Sequence, residues 1–184
     1  IARLQPQKTP QTRGFLFLSP KSQINKPKHR YHSTVPLRYL PICMTRVDFY
    51  FNASDKLGVA RKLAAKAIQS GQSALLFTED EGVARRLDQA LWTAQALSFV
   101  PHVRCDSALA QETPLLIGAN PDALNSADVI INLAPEWPSC FTRFNRLIEI
   151  VGPEDEDKRA ARARYRFYQE RGYALSTVDL AGRA

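Results

Sequence analysis

Lys158, Arg162 and Tyr165 stand at i, i+4 and i+7, a spacing that puts all three on one stripe of a helix. Arg166 lies at i+4 from Arg162 and widens the basic edge. A guanidinium fork matches a carboxylate, so a stripe of this kind can hold an anionic partner. On spacing alone the preferred reading is a solvated basic face of a capped helix, with Tyr165 and Tyr168 packing on the layer beneath.

Catalytic chemistry has less to work with. Glu79 and Asp80 follow an apolar run, where α/β enzymes often hold catalytic acids. They also open a helix, and carboxylates at the positive end of a helix are explained by electrostatics. No GxGxxG or GxxxxGK[ST] follows either of the first two strands, and no GxSxG elbow or HExxH occurs. Cys43, Cys105 and Cys140 are an odd set without CxxC spacing, and His29, His32 and His102 form no metal pattern with them. We therefore expect no catalytic residues, no cofactor and no metal. His102 reads as a structural or surface histidine. Reduced thiols and the lack of a secretion signal point to the cytoplasm.

The formal net charge of +7 invites a nucleic-acid-binding reading. Its distribution withdraws the invitation. Residues 1–43 hold eight Lys/Arg, no Asp or Glu, and six of the twelve prolines. Beyond them 17 of the 25 basic residues face all 18 acidic ones, a net charge of −1. The first 43 residues have no apolar period and cannot bury enough surface to offset chain entropy, so we expect a disordered basic leader. We read it as upstream sequence ahead of a start at Met44, outside the native protein, in preference to a transit peptide or a phosphate-contacting arm. Phe15–Leu18 is too short for a membrane span. Residues 44–184 have the size of one domain.

Strands and helices must alternate to position the basic stripe. Val47–Phe51 alternates as a strand, and Ser54 opens a helix to Ser70 with Leu57, Ala60, Leu63, Ala64, Ala67 and Ile68 on one face. Ser73–Phe77 is a continuous apolar run, as in a strand buried on both sides. A second helix fits Asp80–Trp92 with Val83, Leu87, Ala90 and Leu91 inward. Strands follow at Leu115–Ile117, Val129–Leu133 and Leu147–Val151, with a short helix around Cys140–Phe144. The last helix runs from Glu154 to Arg171, with acids at its start and Gly172 at its stop, and Tyr173–Val178 closes the fold as a strand. This order predicts an α/β class: a three-layer, Rossmann-like, largely parallel sheet with helices on both faces.

Two stretches are more specific. LDQALWTAQALSFVPH (Leu87–His102) and KRAARARYRFYQERGYALSTVDL (Lys158–Leu180) resemble the chi subunit family of the bacterial DNA polymerase III holoenzyme. That family has a comparable aLDxALW…SFVPH block and an ARxRYxxYxxxG helix followed by a strand. The resemblance spans the chain from Met44 onward and none of the leader, with Arg104–Asn125 short for the family. It implies a non-catalytic accessory subunit that joins the psi subunit of the clamp-loader assembly to the acidic C-terminal tail of single-stranded DNA-binding protein. DNA would then be met only indirectly, with no membrane involved.

The implied tail ends in an aromatic residue with a free carboxylate. The resemblance assigns the carboxylate to Arg162, the aromatic pocket to Tyr165 and the preceding acids to Lys158, with Arg166, Gly172 and Thr177 around them. For psi it points to Trp92, Phe99 and Val100, aromatic and apolar anchors whose plain alternative is core packing. Two rival functions remain at this stage: an α/β small-molecule-binding enzyme, and a direct DNA binder acting through the basic leader.

Overall fold

A computed structural model describes residues 45–93 and 100–182, all within one unit, Pro41–Ala184. The alternation of elements becomes a seven-stranded sheet with every pairing parallel. In chain order the elements are β1 (Arg46–Phe51), α1 (Lys56–Gln69), β2 (Ala74–Phe77), α2 (Glu81–Thr93), β3 (His102–Arg104), β4 (Leu115–Gly118), β5 (Val129–Asn132), β6 (Arg146–Ile150), α3 (Asp155–Glu170) and β7 (Leu175–Asp179). The strands lie in the order β3-β4-β2-β5-β6-β1-β7. Central β2 and β5 are buried along their whole length, as their near-continuous apolar runs require.

Side chains alternate across the sheet and build two cores. On one face Leu76, Ile117, Ile131 and Ile148 meet α1 through Ala60, Ala64 and Ala67, and α2 through Ala84, Leu87 and Leu91. On the other, Val47, Phe49, Leu75, Ile130 and Leu147 meet α3 through Ala161 and Tyr168, with Phe141 and Phe144 filling beside them. Small residues along α1 bring its backbone close to the strands. The architecture is thus the expected three layers.

Several local expectations shift. Asp55, not Ser54, caps α1, accepting from the Gly58 N–H at 2.9 Å. Asp80 lies outside α2 as its cap, accepting from Gly82 and Val83. In α2 Leu87 and Leu91 are buried as expected, Ala84 joins them, and Val83 and Ala90 are half-buried. The short helix near Cys140 is a 3-10 turn over Phe141–Arg143. β3 was not foreseen: three residues carry no readable period, and pairing with β4 makes them a strand. His102, within it, is buried.

Beneath α3 lies a carboxylate with no solvent contact. Glu149 in β6 is 0 % exposed and sits opposite Asn132 of β5 in the ladder. Its oxygens accept from Tyr168 Oη at 2.8 Å, Arg164 Nε at 3.0 Å and Asn132 Nδ2 at 3.1 and 3.2 Å. Arg164 Nη1 continues to the Pro135 carbonyl at 2.6 Å, and Asn132 Nδ2 to that of Glu136 at 2.9 Å. Burial pushes the Glu149 carboxyl up, against the Arg164 charge and the hydrogen bonds from Tyr168, Asn132 and Arg164. Burial also raises the Tyr168 phenol, and the Glu149 charge adds to it, so Tyr168 keeps its proton and donates.

A second anchor holds the start of α3. The Asp157 carboxylate accepts from the Gly152 N–H at 2.6 Å and from Lys56 Nζ of α1 at 2.8 Å. A Cβ at Gly152 would stand 3.1 Å from that carboxylate and 2.3 Å from the Glu154 carboxylate, so glycine permits the approach. Burial alone would raise the Asp157 carboxyl. The hydrogen bonds from Lys56 and Gly152, with the Lys56 and Arg164 charges, outweigh it and hold the group below its usual range.

Glu149→Ala strands the Arg164 guanidinium in the core and should cost about 3–5 kcal/mol, read as a lower urea midpoint at unchanged slope. The double variant Glu149→Leu, Arg164→Met should recover most of that loss; an equally unstable double variant would refute the account. Asp157 is more acidic folded than unfolded, so its contribution is complete above the unfolded value of about 3.9 and is lost as pH falls through the lower folded value. The stability gap between the parent and Asp157→Asn should therefore be flat near neutrality and narrow below about pH 4. A gap that persists undiminished into stronger acid would contradict it.

Candidate functional site

The ARARYRFYQERG run of α3 divides between two faces, and the division creates the site. Arg164 and Tyr168 point into the Glu149 cluster and are buried. With that stripe fixed on the sheet, helical geometry carries Lys158, Arg162 and Tyr165 roughly a quarter turn away. There they border a groove of about 260 Å³ between α3 and the β1–β7 side of the sheet. Phe49 and Phe51 of β1, Val151 after β6 and Ala161 supply its apolar surface, and Thr177 of β7 and Asn52 its polar margin.

Register explains how these residues converge. Phe49 and Phe51 are two apart on one strand and share a face, and β7 pairs alongside with Thr177 opposite Phe49. Tyr165 lies half-buried over this corner, its ring 5.3 Å from that of Phe49 and tilted 58°. Asn52 takes a left-handed conformation at φ 60°, and its amide donates to Asp179 at 2.8 Å, tying the end of β1 to β7. Among the described residues neither Lys158 nor Arg162 has an ion-pair or side-chain hydrogen-bond partner. The arrangement is an apolar trough with two uncommitted cations on its helical wall, which suits a ligand combining an apolar group with negative charge.

Four of the six residues expected around such a ligand, Lys158, Arg162, Tyr165 and Thr177, are thus brought together. Arg166 and Gly172 are not: Arg166 is exposed and does not line the groove. Gly172, at φ 76°, ends α3 as a left-handed cap. Sequence reasoning missed the floor. Phe49 and Phe51 were legible as one face of a strand, but nothing in the sequence placed that strand beside β7.

The second set is divided differently. Trp92, in the last turn of α2, is 59 % exposed, with its ring 5.2 Å from that of His102. Val100 is half-buried against the core on the α1–α2 side, and its carbonyl lies 2.6 Å from His102 Nδ1. Phe99 falls outside the described residues. No cluster of three or more His, Cys, Asp or Glu able to hold a metal ion occurs among the described residues. None of the described helices is long and apolar enough to cross a membrane.

Comparison with known proteins gives this geometry a context. The family described as DNA polymerase III chi subunit, HolC, matches residues 44–176. A Pseudomonas aeruginosa protein named DNA polymerase III subunit chi is 38 % identical over 136 residues, covering 72 % of this chain and 94 % of its own. Its namesake from Escherichia coli is 36 % identical over 119 residues, covering 64 % and 80 %. That from Haemophilus influenzae is 34 % identical over 123 residues, covering 66 % and 85 %.

Solved structures share the fold alone. The C-terminal domain of S. cerevisiae Dbp5 superposes with a TM-score of 0.53 at 13 % identity, covering 74 % of this chain and 90 % of its own. T4 UvsW gives 0.54 at 6 %, and this chain, 76 % covered, spans only 42 % of it. The extent of the family match and the identity of these relatives establish that the chain belongs to the DNA polymerase III chi subunit family, with an accessory role in replication.

Proposed function

We propose that this chain is a non-catalytic adaptor in the clamp-loader assembly of DNA polymerase III, bridging the psi subunit and the acidic C-terminal tail of single-stranded DNA-binding protein. The observation that carries the proposal is the groove, where Lys158, Arg162 and Tyr165 stand over the apolar floor of Phe49 and Phe51. Arg162 takes the terminal carboxylate of the tail, and the aromatic side chain settles against Tyr165 and the phenylalanines. Lys158 attracts the preceding acids, Thr177 borders the pocket, and Arg166 adds attraction from outside it. Gly172 serves to end the helix.

Psi is engaged on a separate surface through Trp92, Phe99 and Val100. DNA is then met only through its protein coat. Residues 44–184 form the functional domain, acting in the cytoplasm, and residues 1–43 take no part in it.

Calorimetry with an acidic, phenylalanine-terminated peptide tests the groove. The parent should bind with an affinity that weakens as salt rises, since surface attraction is screened over about 8 Å at physiological ionic strength. Arg162→Glu should weaken binding by at least about tenfold, or 1.4 kcal/mol, with urea stability unchanged. Unaltered affinity would remove Arg162 from the site. For the other surface, Phe99→Ala should lose psi in co-purification while retaining the peptide; full retention of psi would displace Phe99 as an anchor.

A further inference from the structure

Opposite in charge to the groove is a cavity at the C-terminal ends of β2 and β5. It has a volume of about 550 Å³ and is lined by Phe77, Glu79, Glu136, Trp137 and the prolines 135 and 138. Its wall is held from beneath by the Glu149 cluster: Arg164 bonds the Pro135 carbonyl, Asn132 bonds that of Glu136, and the Ala134 N–H donates to Asn132 Oδ1. Trp137 is fixed from the side, stacked on Phe167 of α3 at 4.1 Å and 12°. The Arg171 guanidinium lies 3.6 Å from the centre of the Phe167 ring, so this aromatic column already carries one cation. Trp137 nevertheless remains 39 % exposed. Glu79 and Glu136 are exposed, and among the described residues neither carboxylate has an ion-pair or hydrogen-bond partner.

A preorganised, partly uncovered indole beside two uncommitted carboxylates selects for a flat cation. Guanidinium stacks on an aromatic face and pairs with carboxylate, and it is more weakly hydrated than ammonium. We infer that this cavity docks an arginine-bearing basic segment of a partner protein, with the guanidinium on Trp137 and against Glu79 and Glu136. The volume exceeds that of one side chain and accommodates a short stretch of peptide. Nucleic acid is disfavoured there, because its phosphates would face both carboxylates. α3 then serves two sites of opposite preference, with Arg162 and Tyr165 at one and Phe167 propping the other.

The test is proton–nitrogen NMR of the full chain, following the two indole N–H signals, with Trp92→Phe assigning that of Trp137. The probe is the acetylated, amidated peptide Gly-Arg-Gly-Arg-Gly. The Trp137 signal should move saturably, and less at high salt. The Glu79→Gln, Glu136→Gln double variant, altered only at exposed positions, should bind about fivefold or more weakly. The glutamate version of the peptide and a short oligothymidylate should leave the signal in place. No movement at millimolar peptide, equal affinity in the double variant, or a larger response to the oligothymidylate would each overturn the inference.

Discussion

The rotation of α3 is set by one buried carboxylate. Glu149 lies in β6 with no access to water and four hydrogen bonds to three side chains. A carboxylate in that place is tolerable only while its donors stay in position, since an unpaired buried charge costs several kcal/mol. Arg164 and Tyr168 must therefore face the sheet, and the stripe carrying Lys158, Arg162 and Tyr165 must face outward beside β1 and β7. The same cluster reaches sideways through Arg164 and Asn132 to the backbone at Pro135 and Glu136. One ionisable group thus orients a helix and fixes a loop.

The two cations of the groove gain their character from what surrounds them. Of the acids at the start of α3, Asp157 is committed to Lys56 and the Gly152 N–H, and among the described residues none forms an ion pair with Lys158 or Arg162. Lys158 and Arg162 are left over a floor of aromatic side chains, where electrostatic attraction and apolar burial act on the same ligand. Phe49 contributes to both the core and the groove, so the floor is as rigid as the sheet to which it belongs. Binding to such a surface has little ordering of the protein to offset.

Much of this was legible in the residues. Each long element came out within a residue or two, because periodicity and end signals agree: Gly71 and Gly172 both adopt the left-handed conformation expected after a helix. What failed was short or shared. β3 has three residues and exists through β4. The 3-10 turn at Phe141 looked like a helix because a single turn has too few residues to tell the two apart. Arg164 was hidden in a run of arginines, since its difference from Arg162 is the identity of the strand beneath it.

The sequence by itself determined the class of fold, the stripe on α3 and the family to which the residues are similar, because those depend on order and spacing along the chain. Only the tertiary structure decided which arginine of the motif is buried and which is free, and that Phe49, Phe51 and Thr177 meet Tyr165 in one trough. The physical reason is that the strand order 3-4-2-5-6-1-7 brings together residues more than a hundred positions apart. Local propensity contains no information about that neighbourhood. It is settled by which faces must be buried together and by the buried Glu149 carboxylate that has to be satisfied between them.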